Sequence, residues 1–193
     1  GCHGEVGVCH AEIQIDFLDL LGVIGGPDAL AFVAKQARSG SEAMQDAATR
    51  VLGEWMSPDA APVLLELAKA GNPKFQVRTL RGYIRIARQL DVTTDERVRM
   101  CGLALDTATR TQERRLILDT LELYPTRRSL TLVTRLLRDT ALQQDACRVA
   151  VATAQKIIRS DPAGVAKAMV EVLQVTSDEE LTAAAKRLLN RAR

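Results

Sequence analysis

The chain has 193 residues, with 26 Lys/Arg against 24 Asp/Glu and a formal net charge of +2. Hydrophobic residues make up 47% and aromatics only 3%, which suits closely packed helices and disfavours a β-sandwich, where aromatic and β-branched residues would be abundant. No apolar run approaches the ~20 residues a membrane helix needs, and no basic segment followed by an apolar run marks a signal peptide.

Residues 1–10, GCHGEVGVCH, precede any helical pattern and are expected to form a flexible N-terminal segment or a cloning remnant; Gly1 stands where a Met would begin a native frame. Both histidines, His3 and His10, follow a cysteine here, but the spacing departs from the C-x₂₋₄-C…H-x₃₋₅-H arrangement that closes a tetrahedral site. No metal site and no cofactor are therefore expected. Cys101 and Cys147 fall inside helical apolar patterns and read as small core residues. Such cysteine usage fits a reduced compartment, so a cytoplasmic location is expected, although a removed export signal would leave no trace.

From Glu12 the pattern is helical. Glu12–Ile24 places Ile13, Phe17, Leu20, Leu21 and Ile24 on one face, Gly25-Gly26-Pro27 is a turn, and Asp28–Arg38 is a second helix with Leu30, Phe32, Val33 and Ala37. No phosphate-loop motif surrounds these glycines. The stretch Gln45–Pro73 then repeats the arrangement. Ala48, Val51, Leu52 and Trp55 share a face, Ser57 and Pro58 mark a helix start, and Ala60, Val63, Leu64, Leu67 and Ala68 form an apolar stripe.

A third pair begins near Asn72-Pro73. Its first helix buries Val77, Leu80, Ile84 and Ala87, and Arg78, Arg81, Arg85 and Arg88 follow each of them by one position, so the arginines line the edge of the buried face. Thr93 and Glu96 fit a capping box before a helix with Val98, Cys101, Leu105 and Ala108. A fourth pair carries Leu116, Ile117, Thr120 and Leu121, a Tyr124-Pro125 turn, and Leu130, Val133, Leu136 and Leu137. A fifth runs from Leu142 to Val175 with Asp161 as N-cap and Pro162 at the first helical position. Ser177 opens a capping box for the last helix, which ends near Arg193.

The openings of the first helices recur. Gln45-Asp46-Ala47-Ala48, Gln76-Val77-Arg78, Gln112-Glu113-Arg114 and Gln144-Asp145-Ala146-Cys147-Arg148 lie at intervals of 31, 36 and 32 residues. A two-helix unit at that period marks an α-solenoid, because one helix pair cannot bury its apolar face alone. On these openings, and on Pro58 and Pro162 at second helices, the chain resembles HEAT-repeat proteins, including the short bacterial HEAT-like type, over roughly Phe17 to Arg193. The resemblance implies an all-α, right-handed α-solenoid of about five stacked antiparallel helix pairs plus a C-terminal helix, occupying residues 11–193 as a single domain. It also implies a scaffold, since most members of that family hold partners; the motifs of its few enzymes and lyases are absent here.

Charge is unevenly spread. Residues 1–73 carry 4 Lys/Arg against 10 Asp/Glu, residues 74–138 carry 14 against 7, and residues 139–193 carry 8 against 7. With both histidines near the start and no repeated His-Glu pair, nothing assembles a nucleophile or general base on a rigid core, and no enzymatic activity is expected. The expected function is a non-catalytic protein–protein interaction scaffold binding an unidentified protein or peptide. An alternative is nucleic-acid or polyanion binding through the arginine ridge of residues 78–128, with Arg78, Arg81, Arg85, Arg88, Arg114 and Arg115 as the candidate anion- or partner-binding residues and Arg127 and Arg128 extending it. The acidic first third and the scarcity of aromatics for base stacking weigh against that alternative. The bland reading of the ridge is a solvated face with ion pairs such as Arg115 with Asp119. A third reading is an accessory repeat segment of a larger enzyme.

Overall fold

A computed structural model of the chain describes the backbone of residues 3–192 and the side chains of residues 12–192. Where the sequence offers Pro at a first helical position or Ser, Thr, Asn or Asp at an N-cap, a helix starts there. The helices are α1 (His3–Ile24), α2 (Pro27–Ser39), α3 (Glu42–Gly53), a 3-10 turn (Pro58–Ala60) running into α4 (Ala61–Ala70), α5 (Pro73–Gln89), α6 (Thr94–Thr107), α7 (Thr111–Leu123), α8 (Arg127–Leu136), α9 (Gln143–Ile157), α10 (Pro162–Val175) and α11 (Glu179–Arg191). Among the described residues there is no strand. The protein is all-α, and no described helix is long and apolar enough to cross a membrane.

The starts follow local chemistry. Asn72 and Thr93 accept backbone N–H bonds at the heads of α5 and α6. Thr126 and Ser129 form a reciprocal capping box at the head of α8, which apolar periodicity does not reveal. Ser57 caps the 3-10 turn rather than α4 itself. At α11 the cap is Asp178, whose carboxylate accepts from Leu181 N at 2.9 Å, and not Ser177. A carboxylate at a positive helix end is the stronger acceptor of the two. Gly25 and Gly26 have φ of +68° and +86°, the left-handed region that glycine enters without strain, and this sets the turn between α1 and α2.

The chain divides into two compact units, Gly1–Val92 and Thr93–Arg193. In the first, α1 packs on α2 and α3, α3 on α2 and α5, and α5 on α4, with a smaller contact between α2 and α4. In the second, α7 packs on α6, α8 and α9, α9 on α8, α10 and α11, and α10 on α8 and α11. Ion pairs tie a helix to one about a repeat further along the chain. Arg50 pairs with Asp19, Arg78 with Asp46 and Arg38 with Glu66 in the first unit, and Arg115 with Asp145, Arg135 with Asp106 and Arg148 with Glu122 in the second. These pairs are exposed, so each adds only ~0.2–1 kcal/mol. Two of the recurring glutamines join one helix pair to the pair before it. Gln45 Nε2 donates to Gly40 O at 3.1 Å and Gln76 Nε2 to Gly71 O at 3.3 Å, so each hooks back to the glycine that ends the preceding helix.

Two expectations are corrected. α1 starts at His3, not Glu12; Gly4 and Gly7, at ~1 kcal/mol each relative to Ala, do not stop a helix. The side chains of Cys2, His3, Cys9 and His10 lie outside the described residues. The expected buried face of α1 is also wrong. Ile13, Phe17, Leu20 and Ile24 are 60%, 47%, 53% and 65% exposed, while Leu18 is fully buried. The reason is close packing: a Cβ at Gly22 would lie 2.7 Å from Val51 Cγ1, so α1 turns the face carrying Leu18 and Gly22 toward α3. Phe32, expected in the core, is 40% exposed and meets Phe17 edge to face at 5.7 Å.

Elsewhere the apolar stripes are largely buried as expected, and α5 is buried over a wider arc that adds Phe75, Tyr83 and Ile86. Cys101 and Cys147 are free and buried. Burial pushes the Cys101 thiol up to about 12. Because a thiol whose folded pKa is raised opposes ionisation, its contribution to stability is intact below the unfolded value near ~8.5 and fades as pH rises toward 12. Alkylation of the native protein at about pH 8 should therefore leave Cys101 and Cys147 unmodified in peptide mass spectra, and both should react fully in denaturant.

Candidate anion- and partner-binding groove

The arginine row on α5 borders a groove of about 610 Å³ lined by Arg50, Gly53, Glu54, Lys74, Val77, Arg78, Arg81, Gly82 and Arg85. Its floor exists because Gly82 of α5 abuts the backbone of Gly53 at the end of α3. A Cβ at Gly82 would sit 2.8 Å from Gly53 Cα, so α3 and α5 come together at this point and leave a trough bordered by their longer side chains. The apolar partners that hold α5 in place are Leu80, Ile84 and Ala87, as the spacing predicts, together with the buried Tyr83 and Ile86; Val77, expected in that set, is only half-buried and lines the groove.

The arginines are not equivalent. Arg78 Nη1 donates to Asp46 O at 2.9 Å, to Asp46 Oδ1 at 3.0 Å and to Thr49 Oγ1 at 3.3 Å, and its guanidinium lies 5.6 Å from the ring centroid of the buried Phe75. Arg85 Nε donates to Gly53 O at 2.8 Å and Arg85 Nη2 to Trp55 O, which satisfies two carbonyls at and beyond the end of α3. Burial pushes the Arg85 guanidinium down from its ordinary value, and nearby Glu54 opposes that shift. Arg78 and Arg85 thus hold α5 to α3. Arg81 is exposed at the groove, and Arg88 is exposed in the last turn of α5 without lining it.

Two cations of the groove lie outside the predicted row. Arg50 of α3 pairs with Asp19 at 3.0 Å, and its hydrogen bond to that carboxylate raises its pKa. Lys74 of α5 pairs with Glu42 at 2.5 Å and is likewise raised by that bond. The arginine spacing, continued four residues back along α5, reaches Lys74, but it cannot reach Arg50 on another helix. The available signal is the pair of small residues Gly53 and Gly82, about one repeat apart, which marks where two helices approach.

Arg114 and Arg115 lie on α7, in the second unit. Arg114 pairs with Asp139 at 3.1 Å and donates to Ala108 O at 3.2 Å. Arg115 pairs with Asp145 at 2.7 Å rather than with Asp119, because the ion pair forms with the neighbouring helix α9 and not along α7. Arg127 meets Asp161 at 3.0 Å, beside the α10 cap where Asp161 Oδ1 accepts from Gly164 N. The second unit also buries Glu113 and Arg97, with the Arg97 guanidinium 4.4 Å from the Tyr124 ring centroid. Periodicity alone does not foresee charge in a core.

A second groove in the first unit, about 630 Å³, is lined by Asp19, Arg50 and Glu54 together with Val23, Ile24, Val51, Trp55 and Met56. Trp55 is 3% exposed and sits in the turn after α3. Among the described residues, no group of three or more His, Cys, Asp or Glu side chains is placed to hold a metal ion. Comparison with known proteins returns no match: no family model, no curated protein and no solved structure is similar to this chain.

Proposed function

We propose that this chain is a non-catalytic interaction scaffold of the HEAT-like, right-handed α-solenoid kind, and that it holds a segment of a partner protein at the groove between α3 and α5. The solenoid reading draws support from two features. First helices pack on first helices within each unit, α1–α3–α5 and α7–α9–α11, and second helices on second helices, α2–α4 and α6–α8–α10. Ion pairs also recur at offsets of roughly one repeat.

The observation that carries the choice of partner is the charge balance of the groove. Five cations, Arg50, Lys74, Arg78, Arg81 and Arg85, surround it. Glu54 also lines it, and Asp19, Glu42 and Asp46 bond three of those cations, so much of the positive charge is already matched by acids. A phosphate backbone needs cations released from their own acids, since counterion release supplies its affinity. Its bases need aromatic platforms, and no aromatic side chain lines this groove. A polypeptide of mixed polarity with some acidic side chains fits better: Val77 and the glycine floor offer apolar contact, and the mild positive balance orients the partner more than it tightens binding. The free, buried Cys101 and Cys147 favour a reducing compartment such as the cytoplasm.

Capture from source lysate tests this, with and without nuclease, on wild type and a Lys74→Glu/Arg81→Glu double variant. These positions are chosen because Arg78 and Arg85 also bond backbone carbonyls of α3 and of the turn after it, whereas Lys74 meets α3 through the exposed carboxylate of Glu42. A protein retained by wild type after nuclease, and lost by the double variant, is the expected outcome. Nucleic acid retained in its place would make the polyanion reading correct, and capture indifferent to the two substitutions would remove the groove from the function.

A further inference from the structure

α1 is apolar on two faces. One is covered: Leu18 is fully buried and Gly22 abuts Val51 of α3. The other is open. Ile13, Phe17, Leu20 and Ile24 are spaced 4, 3 and 4 residues apart and are 47–65% exposed, with Val23 at 86% and Phe32 of α2 at 40% beside them. A helix that is apolar on two faces is normally covered on both, and a helix with one face left open normally turns polar residues outward. The C-terminal helix α11 does so, with Lys186, Arg187 and Arg191 exposed.

We propose that this face is the contact between two copies of the chain, joined about a twofold axis by antiparallel pairing of α1 with α1. Three considerations select a second copy. The 4-3-4 spacing is the alternation of a two-helix seam, and in antiparallel register it is self-complementary: Ile13 meets Ile24 of the second copy and Phe17 meets Leu20. The area suffices, because six such side chains at these exposures present on the order of 700 Å² per copy, close to the ~800 Å² per partner of a standard interface. The flanks of the seam are Gln14, Asp16, Leu21 and Val23, so the only flanking charge is Asp16. Its counterpart in the second copy is displaced by about five residues, roughly 7 Å along the axis, which keeps like charges from meeting directly. This face shares no residue with the α3–α5 groove, so the two sites can fail separately.

Sedimentation equilibrium of the full chain tests the proposal. Wild type should sediment at twice its 21.0 kDa at micromolar concentration. Phe17→Glu and Leu20→Lys should each weaken association by ~100-fold or more, since each buries a charge at the centre of the seam. Both positions are about half exposed within one chain, so circular dichroism should show unchanged helix in each. Mixing the two variants should restore dimers, because antiparallel register sets the new carboxylate of one opposite the new ammonium of the other. A wild type that stays monomeric at ~100 μM, where an interface of this area should be occupied, overturns the proposal, as do dimers that persist in both variants. Failure of the mixture to reassociate overturns the antiparallel register.

Discussion

Trp55→Ala should destabilise the first unit by ~3–5 kcal/mol, the usual cost of removing a large buried aromatic. Trp55 is 3% exposed and follows the last turn of α3, where its backbone N–H donates to Leu52 O at 3.2 Å and its backbone carbonyl accepts from Arg85. The buried indole anchors the turn between α3 and α4, and its removal leaves a cavity that only a shift of that turn could close. Since whole domains are stable by ~5–15 kcal/mol, the loss is a large share of the total. Urea denaturation followed by far-ultraviolet circular dichroism measures it directly, and Trp55→Phe, which keeps most of the apolar volume, should recover more than half. A midpoint unchanged by Trp55→Ala would mean that this turn is not packed as described.

The second large effect is asymmetric across one contact. Gly82→Ala should destabilise the α3–α5 contact by ~1–3 kcal/mol, the range for overpacking. The new Cβ would lie 2.8 Å from Gly53 Cα and 3.3 Å from Leu64 Cδ2. The first neighbour is backbone and can yield only if α3 moves. Gly53→Ala, on the other side of the same approach, has nothing within 4 Å of its new Cβ and no positive φ. It should be neutral or stabilising by ~0.4–1 kcal/mol, through the restriction of the unfolded chain. Paired thermal melts of the two variants make the comparison, and equal losses in both would show that the two glycines are not in contact as described. Widening the approach at Gly82 should also deform the groove that Arg78 and Arg85 border.

Most of the helical content was legible in the sequence, because helix starts depend on neighbours in the chain. Thr93 and Asp161 cap as expected, and Asn72, where the third pair is expected to begin, caps α5. The recurring glutamines carried structural meaning beyond their period, since Gln45 and Gln76 hook back to the carbonyls of Gly40 and Gly71. The errors arose where the deciding partner is distant. Apolar periodicity selects the bulkiest stripe of α1, but helix approach is set by the smallest residue, so Gly22 against Val51 outweighed Phe17 and Leu20. The choice between Asp119 and Asp145 for Arg115 depends on a helix 30 residues away.

The candidate site was only half legible. The row Arg78, Arg81, Arg85 is visible as spacing, but spacing cannot show that Arg78 and Arg85 direct their hydrogen bonds to α3 and the turn after it. Arg50 and Lys74 enter the groove from positions the row does not include. Nor does sequence alone place Arg114 and Arg115, which are occupied with Asp139 and Asp145 in the second unit.

The single tryptophan offers the most direct measurement of the groove, because its carbonyl is bonded to Arg85. Full-length protein would be titrated at fixed salt with a soluble peptide in which glutamates alternate with apolar residues and, separately, with a short single-stranded DNA, and Trp55 emission followed. The groove's charge balance predicts a saturable change with the mixed peptide, weakened ~10-fold or more by Lys74→Glu/Arg81→Glu, and weaker binding of the DNA. Tighter binding of the DNA, lost in the same double variant and falling steeply with salt, would contradict a polypeptide partner and make the groove a phosphate site.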